Sequence, residues 1–225
     1  MSENSTDLSI LLIEPSHEGL RNILSFFKKM PIRLEIVLLN PSELLARENP
    51  LLPQVRSLKE ASLHLKGNFI LLMDSNLKIP LAEVLSALAH FHTHPESQVL
   101  LGDRFTNRKK LSSLEPSLDR ILRLWIQFLI KKLFVVESTD VFCRFKAFKN
   151  AVGVALLAQT SSLDLSAVEI LLEAKRQNLN IQTLPVLWTE QTRPLTARLK
   201  LLPLFFKNSF ELLGLRLRPN RSPKD

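Results

Sequence analysis

With 225 residues the chain can build one large α/β domain or two small ones around a sizeable core. Its 45% apolar and 23% charged content excludes wholesale disorder and collagen-like or low-complexity architecture. One cysteine, Cys143, excludes an intrachain disulfide and a Cys-based zinc cluster and fits a reducing compartment. The net charge of +8 calls for phosphate-bearing partners without choosing among nucleic acid, lipid and nucleotide.

Leu8 to Ile13 (LSILLI) is an apolar run of the kind buried on both faces of a sheet, and Pro15 ends it. Glu18 to Met30 then places Leu20, Ile23, Leu24 and Phe27 on one helical face. Leu34 to Leu39 (LEIVLL) is a second buried strand, closed by Asn40-Pro41-Ser42. Ser57 to Leu65 is weakly helical. Asn68 to Met73 (NFILLM) gives a third strand stopping at Asp74, Ile79 to His92 a helix, and Gln98 to Leu101 a fourth strand before Gly102-Asp103-Arg104. This βα alternation predicts an α/β fold with a mainly parallel sheet, in which ligands sit beyond the carboxyl ends of the strands. The polar stretches Glu14 to Glu18, Asn40 to Ser42 and Asp74 to Asn76 all fall there.

Ser117 to Val136 and Leu199 to Leu217 mix Leu and Phe faces with Lys and Arg, and the tail adds Arg218, Arg221 and Lys224. Such segments suit either core packing or the headgroup boundary of an anionic membrane, and their pairing with the basic tail favours the membrane surface. The longest run without Asp, Glu, Lys or Arg, Asn150 to Leu163, has 14 residues, whereas a spanning helix needs roughly 20. The polar residues Met1 to Asp7 do not read as a secretory signal. The five glycines are too scattered to form a phosphate-cradling loop. Of His90, His92 and His94 only the first and third share a helical face, which favours a solvated helix end over a metal site. Cys143 reads as a buried, inert thiol.

The strand ends resemble those of the family 2 glycosyltransferases, which have the GT-A fold. Gly67 to Pro80 (GNFILLMDSNLKIP) is similar to the strand ending in Asp-x-Asp, written here Asp74-Ser75-Asn76. Ile10 to Glu18 (ILLIEPSHE) is similar to the first strand with its Pro-x-x-Asn-Glu end, keeping Pro15 and Glu18. Leu34 to Ser42 resembles the second strand, with Asn40 and Ser42 in place of Asp-Asp-Gly-Ser. Leu101 to Phe105 (LGDRF) resembles the Gly-Ser-Arg strand end. Ser138 to Phe148 (STDVFCRFKAF) is similar to Asp-x-x-x-Gly-Phe-Arg-x-Phe, keeping Asp140 while Arg144 replaces the glycine and Lys146 the arginine. Leu163 to Trp188 is similar to the following helix and strand, aligning Glu169, Pro185, Val186 and Trp188, and Arg193 to Arg198 to the basic run beyond. Within the family, the polyprenyl-phosphate sugar synthases are the nearest in pattern.

The resemblance implies a GT-A domain over residues 1–198, an amphipathic basic segment over 199–225, and sugar transfer from a UDP- or GDP-linked donor to a lipid phosphate. The setting it implies is the cytoplasmic face of an anionic membrane, with room for a membrane-protein partner that supplies spanning helices; nucleic-acid binding through the +8 charge is the weakest alternative, since no reader motif is present and the cations are interspersed with large apolar faces. It assigns Asp140 and Arg193 to the reacting end. Pro15, Glu18, Asn40, Asp74, Asn76, Arg104 and Arg198 are assigned to the donor, and Asp74 and Asn76 to Mg²⁺ or Mn²⁺. Asn76 offers a neutral carbonyl oxygen where the family has a carboxylate, so metal affinity is expected to be weak or lost, and arginines are candidates to replace its charge. Asp74 and Glu18 have bland readings as helix-terminal acids and Asp140 as a turn residue; Glu169 reads as structural. The alternative to an enzyme is a catalytically silent relative that binds or scaffolds.

Overall fold

Apolar strands that hide both faces need helices above and below, and the chain supplies them in turn. The computed structural model describes residues 6–75, 79–104, 128, 140–141, 143–161, 163 and 166–187. In order these form β1 (Leu8–Ile13), α1 (His17–Phe27), β2 (Leu34–Leu39), α2 (Glu43–Glu48), β3 (Gln54–Val55), α3 (Leu58–Ser62), β4 (Phe69–Asp74) and α4 (Ala82–Thr93). They continue with β5 (Val99–Asp103), β6 (Lys146–Lys149), α5 (Asn150–Gln159), α6 (Ser166–Arg176) and β7 (Ile181–Pro185). The strands and helices predicted up to Leu101 are present with ends shifted by a few residues. Sequence periodicity did not mark α2, β3, β6 or α5.

The strands make one seven-stranded sheet in the order β3-β2-β1-β4-β6-β5-β7. β1 runs parallel to β2 and β4, and β5 parallel to β7. β6 is antiparallel to both its neighbours, β4 and β5, so β4 and β5 point the same way with one reversed strand between them.

All six residues of β1 are buried. Leu8, Ile10 and Leu12 share one cluster with Leu71 and Met73 of β4, with Leu20, Ile23 and Phe27 of α1, and with Val84, Ala87 and Phe91 of α4. Burying each such side chain contributes about 1.5–3 kcal/mol. On the opposite face α5 comes so close that a Cβ on Gly153 would lie 3.0 Å from Ile70 Cδ1.

The chain divides into two compact units, Met1–Lys109 with Asp140–Glu190 and Lys110–Thr139 with Gln191–Asp225. The second unit takes both basic amphipathic segments. Of the expected helix Ser117 to Val136, Phe128 is described; it is helical and 53% exposed. The segment Leu199 to Leu217 lies outside the described residues. Among the described residues no helix is long and apolar enough to cross a membrane.

Candidate functional site

Register brings three strand exits side by side, because Ile13 of β1 pairs with Leu39 of β2 and with Asp74 of β4. Just past β1 and β2 the backbone turns left-handed, at Glu14 (φ 49°) and at Asn40 (φ 54°). Asparagine tolerates that region, whereas glutamate is there only because its surroundings hold it. Those surroundings are a suture built on Ser75. Its buried hydroxyl donates to the Glu14 carbonyl (3.0 Å) and accepts from the Ser16 amide (2.9 Å), tying the β4 exit to the β1 exit. Ser16 in turn caps α1, its hydroxyl accepting from the Gly19 amide at 3.1 Å. Gly19 is required by proximity, since a Cβ there would lie 2.1 Å from the Ser75 carbonyl oxygen.

Two arginines arrive at this edge from β5 and from the turn into β6. Arg104, directly after β5, holds Asp140 by a two-pronged pair, Nε to Oδ2 at 2.6 Å and Nη2 to Oδ1 at 2.7 Å, and its amide donates to Oδ2 at 3.2 Å. Asp140 is 1% exposed. Burial pulls the Arg104 guanidinium down in pKa, but its hydrogen bonds to Asp140 and that carboxylate's charge outweigh burial and leave it raised. Arg144 donates from Nη1 to Asp74 Oδ1 at 2.8 Å and stands 3.7 Å from Glu14 Oε2. This trio is part-open to solvent, with side-chain exposures of 34% for Arg144, 32% for Asp74 and 63% for Glu14.

Below the arginines, Lys146 is buried, and its ammonium donates to the carbonyls of Val141 (3.2 Å) and Cys143. Burial lowers its pKa from 10.5 to about 8, against the attraction of the Asp140 carboxylate. Burial likewise pushes the Cys143 thiol up, so it stays protonated and inert, as expected.

Of the residues singled out from the sequence, Asn40, Asp74, Arg104 and Asp140 stand at this carboxyl edge. Pro15 is buried in the turn between β1 and α1, while Glu18 is exposed in the first turn of α1. Asn76, Arg193 and Arg198 lie outside the described residues. Glu169 accepts from the Ser161 amide and hydroxyl, both at 2.7 Å, a structural tie between α5 and α6. His90 and His94 stack at 4.3 Å and His90 meets Gln182 at 2.6 Å, at a helix end as expected. Sequence reading did not bring Arg144 and Lys146 into the site, and it placed Glu14 and Ser75 at the carboxyl edge without giving either a role. The signal for Arg144 was a cation where the resembled pattern has glycine.

A hard divalent cation needs several oxygens at about 2.0–2.6 Å, mainly from carboxylates and waters. The Asp74 carboxylate is instead committed to Arg144, whose charge would repel the ion. Among the described residues no group of three or more His, Cys, Asp or Glu side chains could hold a metal. The described residues therefore do not fit the Mg²⁺ or Mn²⁺ site expected at Asp74.

No protein-family model matches the chain, and no curated protein matches it by sequence. Solved structures do match. Glucosyl-3-phosphoglycerate synthase from Mycobacterium tuberculosis, in complex with Mn²⁺ and uridine-diphosphate-glucose, aligns with a TM-score of 0.60 and 14% identity over 96% of this chain and 81% of that one. Mannosyl-3-phosphoglycerate synthase from Rubrobacter xylanophilus gives 0.59 and 9% over 98% and 78%. A mannosyltransferase from Pyrobaculum calidifontis, in complex with GDP-Man and Mn²⁺, gives 0.52 and 14% over 93% and 65%. At these identities the likeness is one of fold. The seven-stranded mixed sheet with its flanking helices is the GT-A fold of the nucleotide-diphospho-sugar transferases.

Proposed function

We propose that the chain transfers a sugar from a UDP- or GDP-linked donor, held at the carboxyl edge of β2, β1, β4 and β5, to a phosphate-bearing acceptor. One observation carries this reading: the exits at Asn40, Glu14 and Asp74 lie in register, with Arg104 and Arg144 at the same edge. Asn40, left-handed and exposed, offers its amide to the base. Asp74 and Arg144 face the diphosphate. Asp140 orders the acceptor side through its clamp on Arg104. Transfer is a displacement at the anomeric carbon, in which an acceptor oxygen forms the new bond as the nucleoside diphosphate leaves. A phosphate acceptor is already anionic at pH 7 and needs no strong general base.

The acceptor in this reading is a polyprenyl phosphate at the cytoplasmic membrane surface, supported by the two basic amphipathic segments of the sequence. The Mycobacterium protein is named for a phosphoglycerate product, which makes a water-soluble phosphate the competing acceptor class. A second reading, binding without turnover, is favoured by the neutralisation of Asp74 by Arg144.

The test is titration of UDP-glucose and GDP-mannose into the full chain, followed by transfer assays with polyprenyl phosphate in anionic vesicles and with 3-phosphoglycerate. Binding and transfer to the lipid support the whole reading. Transfer to phosphoglycerate alone overturns the lipid acceptor, binding without transfer leaves the silent relative, and failure to bind any donor rejects the site.

A further inference from the structure

We propose that Arg144 occupies the role of the divalent cation, so that this edge binds a nucleoside diphosphate without metal. The inference rests on the reading of this edge as a donor site and specifies its electrostatics.

The geometry begins with topology. Because β6 runs against β4 and β5, the turn that enters it crosses the same edge at which β4 ends, and this delivers the Arg144 guanidinium to the Asp74 carboxylate at 2.8 Å. Glu14, brought to the same place by its left-handed backbone, closes the other side at 3.7 Å. A fixed cation thus sits between the acidic ends of two adjacent parallel strands and supplies there the positive charge that a metal ion would otherwise have to bring. Asp74 cannot serve both: an ion close enough to bind its oxygen would stand within a few ångströms of a guanidinium that stays charged at any working pH.

The same group suits the ligand. A guanidinium is a planar fork that matches phosphate oxygens, and it is weakly hydrated, so it exchanges water for phosphate more readily than an ammonium does. With a third of its surface open, the Arg144 side chain is anchored yet reachable by an anion from solvent. Asp74 then serves as an anchor for Arg144 and not as a metal ligand. This explains why Asn76 can stand at the second position of the acidic motif: with no ion to bind, a carboxylate there has no task.

The experiment is calorimetric titration of UDP and GDP into the full chain, once in EDTA and once with excess Mn²⁺, for the wild type, Arg144→Ala, Arg144→Lys and the double variant Arg144→Gly/Asn76→Asp. The expected wild-type affinity is the same within about threefold in both buffers. Arg144→Ala lowers it at least tenfold in EDTA, Arg144→Lys retains part of it, and the double variant binds with Mn²⁺ at least tenfold better than without. Thermal melts show whether each variant is folded, and Arg144→Lys keeps the test decisive if the alanine variant is not. Wild-type binding only in Mn²⁺, or metal-free binding undiminished in Arg144→Ala, overturns the inference while leaving the donor site standing. Failure of the wild type to bind either nucleotide in either buffer removes the donor site and the inference with it.

Discussion

Asp140 is a buried carboxylate held by a two-pronged arginine pair, and breaking such a pair costs far more than the pair contributes. Arg104→Met should destabilise the fold by about 3–5 kcal/mol, read from urea unfolding, and adding Asp140→Leu should recover most of the loss. Lys146 makes a pH-dependent prediction. Its folded pKa of about 8 lies below the ordinary 10.5, so between those values the unfolded chain holds a proton that the folded one has released. Stability should therefore rise with pH from about 8 to 10.5, contribute no slope from this group below that window, and lose the rise in Lys146→Met. Cys143, buried with its thiol pKa raised, should resist alkylation at pH 8 in the native chain and react on unfolding, which mass spectrometry can follow. At this scale the sequence disclosed the residues fixed by local position. Asp74 and Asn40 directly follow apolar strands, and strand ends in a parallel sheet are where ligands sit. Arg144 was visible only as a departure from a pattern, because its partner Asp74 is 70 residues away and the contact exists only once β6 is placed.

At the scale of elements, the close approach of α1 to the β4 exit makes Gly19 the most sensitive point. Gly19→Ala puts a methyl 2.1 Å from the Ser75 carbonyl and should cost about 1–3 kcal/mol through displacement of the first turn of α1, seen as a lowered urea midpoint. β1, β2 and β4 were legible as long apolar runs between turn residues, and α1 from its single apolar face. α5 was not, for a physical reason: Asn150–Gln159 is apolar almost all round, packs deep against β4 and β6, and carries no polar stripe to set a helical period. β6 is a four-residue strand bounded by lysines, one of them buried, so neither its length nor its composition resembles a core strand. β3, with two residues, is too short for any period to register.

For the whole molecule, the excess of cations and the two basic amphipathic segments in the second unit predict adhesion to anionic vesicles in flotation. Binding should weaken sharply as salt approaches about 1 M, where the Debye length falls to about 3 Å, and should be slight on neutral vesicles. The sheet order carries a further consequence, for synthesis on the ribosome. Strands β1 to β4 are contiguous neighbours and can zip together once residue 74 has emerged, but β5 touches none of them. Both its neighbours, β6 and β7, come more than forty residues later, so a nascent chain waiting for Lys146 holds three bare strand edges that are paired in the finished sheet, one on β4 and both on β5. Translation stalled in that interval should leave a half-built sheet that is prone to clump and dependent on chaperones, whereas arrest after residue 187 should release a chain able to close.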